Sequence, residues 1–104
     1  MALLKFASGV KVSPQTIIAV AFLNAANELG FSDRVCTSGN DHVHMPGSLH
    51  FSDRALDFRT RDLSTTQKHQ LRATAKRRLG KHYDVLLEDE NGPNEHLHIE
   101  FDPA

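Results

Sequence analysis

The chain has 104 residues, with 12 Lys+Arg against 13 Asp+Glu, a formal charge of −1, one cysteine and no tryptophan. That length suits one domain, 1–104, with a small core. The near-neutral charge excludes a generic nucleic-acid binder, because phosphate recognition needs a basic surplus. Cys36 alone builds neither an intramolecular disulfide nor a multi-thiolate zinc finger, whereas seven histidines, as many as Phe and Tyr together, call for an explanation.

The start of the chain, Met1 to Val12, lacks the long apolar core of a signal peptide. Pro14 to Leu29 is a predicted helix: Ser13 is the N-cap, Pro14 the first helical position and Gly30 the stop. Ile17, Ala21, Ala25 and Leu29, with Ile18 and Phe22, form its apolar stripe. The run Ile17 to Leu23 falls well short of the roughly 20 residues that span a bilayer, so no membrane insertion is expected. Arg34 to Thr37 reads as a short strand, and Ser38 to Gly47 is dense in turn formers. Arg54 to Thr60 alternates, with Leu56 and Phe58 on one face and Ala55, Asp57 and Arg59 on the other.

Ser64 with Gln67 has capping-box spacing, and Leu71, Ala75 and Leu79 recur before Gly80, which predicts a second helix over Ser64 to Leu79. Tyr83 to Glu88 reads as a strand, Asp89 to Asn94 as a turn and Glu95 to Phe101 as the closing strand of a hairpin. Leu97, Ile99 and Phe101 face one way along it; His96, His98 and Glu100 face the other. The expected fold is α+β, a small, largely antiparallel sheet with two helices packed on one face.

Two segments concentrate metal-ligand chemistry: 48–57, with His50 and Asp57, and 95–100, with Glu95, His96, His98 and Glu100. If their strands are neighbours, imidazoles and carboxylates share one face. A catalytic zinc needs three N/O ligands, an open position for water and a carboxylate to take the water's proton. His50, Asp57 and His98 could supply the ligands and Glu95 the base, with Glu88, Glu90 and Glu100 as neighbouring alternatives. A His-x-His on a strand is also compatible with a plain solvated face, and Asp57 with a surface carboxylate. His42 and His44 fall in the turn-rich loop, His69 and His82 on a surface, and Cys36 reads as a small buried hydrophobe. Lys76, Arg77 and Arg78 suit the dipole of a helix's last turn.

Ser48-x-His50 followed by Asp57, then Glu95-x-x-His98, resembles the zinc D-alanyl-D-alanine carboxypeptidase and dipeptidase family. That family includes phage endolysins cutting the L-alanyl-D-glutamate bond of peptidoglycan, and its wider fold group includes the signalling domain of Hedgehog proteins. The resemblance covers Thr37 to Asp102. It implies a Hedgehog-like fold, a Zn2+ cofactor held by His50, Asp57 and His98, and Glu95 as general base. His96 would support the developing oxyanion or the water, and Ser48 would lie beside the substrate. Asn40 stands where many relatives carry a substrate-binding arginine, and Asp53 where they carry glycine; Arg34 and Arg59 are the nearest substrate-binding candidates. The implied protein is a monomeric metallopeptidase of peptidoglycan stem peptides, made in the cytoplasm and released to the cell wall by a separate export or lysis route. The alternative is a non-catalytic zinc-binding interaction domain of the same fold.

Overall fold

The structure, a computed structural model, describes residues 1–10, 16–38 and 54–103. In chain order its elements are β1 Leu4–Phe6, α1 Thr16–Glu28, β2 Arg34–Ser38, β3 Ala55–Arg59, α2 Thr65–Leu79, β4 Tyr83–Glu88 and β5 His96–Phe101. Among the described residues the strands form one five-stranded mixed sheet in the order β1-β2-β3-β5-β4. The pairs β2–β3, β3–β5 and β4–β5 are antiparallel, as expected. β1, which no sequence pattern announced, pairs parallel with β2. The parallel pairing follows from α1, which crosses between the two strands and returns the chain to the same end of the sheet.

The helix termini form as their residues dictate. Gly30 adopts φ +73, and its N–H donates to Asn27 O (3.1 Å) while Phe31 N–H donates to Ala26 O (3.0 Å). These bonds satisfy the last carbonyls of α1 in the paired pattern that a left-handed residue after the helix permits. At α2, Gln67 N–H donates to Ser64 Oγ (3.2 Å) and Ser64 N–H to Gln67 Oε1 (3.0 Å), completing the expected capping box.

The core lies between the helices and one face of the sheet. Ile18, Phe22, Ala25 and Ala26 of α1 and Leu71 and Ala75 of α2 pack with Leu56 and Phe58 of β3, Val85 of β4, and Leu97 and Ile99 of β5. Phe22 and Phe58 stack with ring centroids 3.8 Å apart. The α1 stripe is rotated from the sequence expectation: Ile18 is fully buried and Ile17 is 62% exposed. Ile18, Phe22, Ala25 and Ala26 make the i, i+4, i+7 row that meets Phe58, which leaves Ile17 outside it. Cys36 is buried, as expected. Among the described residues no helix is long and apolar enough to cross a membrane.

Candidate metal centre

The site is built on three adjacent strands, with β5 in the middle. In the β3–β5 ladder Asp57 stands opposite His98 and Arg59 opposite His96; in the β4–β5 ladder Glu88 stands opposite His96. Strand alternation sends Leu97 and Ile99 to the helices and His96, His98 and Glu100 to the other face. The sheet backbone, rather than a loop, therefore fixes these side chains.

His98 Nδ1 lies 2.8 Å from Asp57 Oδ1 and 3.9 Å from Glu88 Oε1, and its Nε2 lies 3.2 Å from Glu100 Oε1. His96 Nε2 lies 2.9 Å from Glu88 Oε1 and 3.8 Å from Asp57 Oδ1, and its Nδ1 lies 2.7 Å from the Asn94 carbonyl oxygen. A ring nitrogen meets such an oxygen only as an N–H donor. His98, with a carboxylate oxygen at each ring nitrogen, is held as an imidazolium unless one nitrogen is given to a cation. Burial lowers the His98 pKa, but the Asp57 hydrogen bond and the charges of Asp57, Glu88 and Glu100 outweigh it, and the net shift is upward from 6.5.

Asp57, His96 and His98 thus offer three donor atoms within 4.8 Å of one another, a possible metal-binding triad. A tetrahedral ion with N/O ligands near 2.1 Å wants donors about 3.4 Å apart, and the observed 2.8 and 3.8 Å bracket that spacing. The Asn94 carbonyl and Glu100 sit behind the two imidazoles, where outer partners fix ring orientation in metal sites.

The remaining expected residues fall elsewhere. Ser48 and His50, like His42 and His44, lie outside the described residues. Glu95 is in phase with Leu97 and Ile99, not with the histidines, and only 4% of it is exposed. Its carboxylate pairs with Lys68 of α2 and accepts from Thr60 Oγ1 (2.6 Å) and Asn91 N–H (2.8 Å). Burial raises its pKa, but the Lys68, Thr60 and Asn91 hydrogen bonds prevail and hold it at about 2. Glu95 borders the cavity that Asp57 and His96 also line, but its carboxylate is taken up by Lys68; Glu88 and Glu100 are the glutamates in contact with the imidazoles. Arg34 is likewise turned to the helix side, 2% exposed and paired with Asp62, away from the histidines.

Arg59 is exposed, and it lines a cavity of about 270 Å³ with Asp57, His96 and Arg61. A register shift between Cys36 and Ser38 sets two β2 residues against the backbone of Asp57 and brings Thr37 to the same cavity; bulges commonly re-aim side chains beside sites. His69 pairs with Glu90 on the surface at 2.9 Å. Arg77 and Arg78 clamp Glu28 at the end of α1.

The Lys68–Glu95 pair was missed in the sequence, although its signal was present. Lys68 falls on the buried α2 stripe with Leu71 and Ala75, and a lysine there needs a carboxylate partner. Compared with known proteins, the chain matches no family model, no curated protein and no solved structure.

Proposed function

We propose that the protein is a zinc-dependent peptidase of peptidoglycan stem peptides, of D-Ala-D-Ala carboxypeptidase or L-Ala-D-Glu endopeptidase type, on a Hedgehog-like fold. The observation that carries this reading is the convergence of Asp57, His96 and His98 on one sheet face, together with the resemblance of the His50–Asp57 and Glu95–His98 spacings. On the resemblance, His50, Asp57 and His98 would be the three ligands, leaving His96 to support the water or the developing oxyanion and one position open. A bound zinc ion supplies Lewis-acid polarisation of the scissile carbonyl and a water acidic enough to react near neutral pH.

The chain's own residues divide the remaining work. Glu100 orients His98 and the Asn94 carbonyl orients His96, each through the ring nitrogen turned away from the triad. Glu88, 46% exposed and in contact with His96, is the carboxylate on this face open enough to take and return a proton. Ser48 and the cavity edge would position the peptide. The protein would act as a monomer.

A second reading is favoured by one observation: Glu95, expected as the base, is spent in a buried ion pair. A non-catalytic zinc-binding interaction domain would need no base. Zinc titration of the wild type and of His98→Ala, followed by incubation with defined muropeptides and mass analysis of the products, tests both readings. Stoichiometric zinc with loss of D-Ala, or with L-Ala/D-Glu cleavage, supports the peptidase. Zinc without turnover supports the binding domain, and no zinc overturns both.

A further inference from the structure

We infer that the β1 edge of the sheet, with the apolar groove between β1 and α1, is a docking face for a second copy of this chain. The inference does not rest on the metal-peptidase reading. β2 separates β1 from the strands that carry the polar cluster, so each copy would keep its own cluster and the catalytic unit would remain the single chain. Met1, Leu3, Phe6, Ile17 and Val20 are exposed, and among the described residues Leu86 is the one other large apolar side chain that is. Leu3, Leu4 and Phe6 line a groove of about 490 Å³ together with Ala19, Val20 and Leu23 of α1.

The backbone of β1 offers a second, independent feature. Arg34 N–H donates to Leu3 O and Ala7 N–H to Cys36 O, both at 2.9 Å. In this parallel ladder Leu3, Lys5 and Ala7 serve β2, so the N–H and C=O groups of Leu4 and Phe6 point to the open edge. Among the described residues no strand pairs along that edge. Leu4 packs against the core, and Phe6, two residues on, shares its side of the strand. A strand laid along the edge would thus meet outward backbone groups and an apolar groove in one phase.

A second copy satisfies both features at once. With Lys5 on a two-fold axis, Leu4 of each copy faces Phe6 of the other, and each such pair exchanges both backbone hydrogen bonds of an antiparallel ladder. The paired side chains lie on the helix side, where they fill the groove, and the two α1 helices flank them through Ile17 and Val20. Lysine on an edge strand ordinarily keeps copies apart. Here Lys5 pairs with Asp33 at 3.4 Å, so the axis brings together neutralised pairs rather than bare cations. The surface covered is on the order of 1,000 Å² in total, the lower bound for a specific interface, and the dimer is accordingly a weak one.

The test is sedimentation velocity of the zinc-free full chain from about 1 µM to about 1 mM, with amide hydrogen exchange followed by NMR over the same range. The wild type is expected to dimerise with a Kd on the order of 10 µM. The Leu4 and Phe6 amides should gain at least tenfold protection as concentration rises, whereas the Lys5 amide, already bonded to β2, should be protected throughout. Val20→Glu, at an exposed position, should keep its fold by circular dichroism and raise the Kd at least tenfold. Phe6→Pro, which removes an outward N–H and leaves the β2 ladder intact, should do the same. A chain that stays monomeric to about 1 mM overturns the inference, and β1 amide shifts on phosphatidylglycerol vesicles would then assign the face to a lipid surface. A dimer that keeps its affinity in both variants, or that forms without protecting Leu4 and Phe6, uses another face and overturns it as well.

Discussion

Glu95 and His96 are consecutive in the chain and border one cavity, yet their side chains take different partners. His96 joins the polar cluster with Asp57 and His98, while Glu95 is held against α2 by Lys68. Two buried opposite charges offset each other's desolvation, and each needs the other. Lys68→Met should therefore destabilise the protein by about 3–5 kcal/mol, because it strands a buried carboxylate. Lys68→Met/Glu95→Gln should recover much of that loss. Urea denaturation of the three proteins checks this, and a double variant no more stable than Lys68→Met would count against the pairing.

The same carboxylate sets an acid limit. Its folded pKa of about 2 lies below the ordinary 4.5, so its contribution is fully present above pH 4.5 and is lost as pH falls through about 2. The shift is equivalent to about 3 kcal/mol. Glu95→Gln should flatten the stability profile of the metal-free protein between pH 5 and pH 2, as read from thermal midpoints at each pH.

His98 titrates in the opposite sense. Its pKa is raised, so in the metal-free protein its contribution is present below pH 6.5 and disappears as pH rises through the folded value. Metal binding needs the neutral ring, so zinc affinity should fall about tenfold per pH unit once pH drops below that value. Asp57→Asn removes the main group raising the pKa while burial remains, so the His98 resonance should titrate at lower pH by NMR. An unchanged titration would contradict the 2.8 Å contact.

Phe22 stacks on Phe58 at the centre of the core, and both are fully buried. Phe22→Ala should cost about 3–5 kcal/mol through lost burial and the cavity left behind. Zinc affinity should stay within a few-fold of wild type, since the polar cluster lies across the sheet. Glu28→Ala, which removes only exposed ion pairs with Arg77 and Arg78, should leave stability almost unchanged. Chemical denaturation separates the two cases.

The residues that carried the strongest periodic signals are those the sequence placed well. Leu56 and Phe58, Leu97 and Ile99, and the Ser64–Gln67 box each obey a local rule that tertiary packing reinforces. The grouping of Asp57, His96 and His98 on one face was legible for the same reason: alternation is local, and only the adjacency of β3 and β5 had to be added. β1 was not legible, because three residues with half-exposed side chains hold no pattern; β2 supplies the reason for their extension. Ile17 failed because two apolar faces compete on α1 and the sheet chooses between them. Glu95 was drawn into the site by motif spacing, while its alternation with Leu97 already pointed to the core. Arg34 failed alike, since its strand phase matches that of Cys36.

The division of the sheet into a helix-packed apolar face and a polar face has an evolutionary consequence. Replacements at Asp57, His96, His98, Glu88 or Arg59 rewrite what the molecule touches without disturbing the packing that keeps it folded. The opposite face, where each side chain answers to several others, tolerates far less, so ancestry should be recorded in the interior and occupation on the exterior.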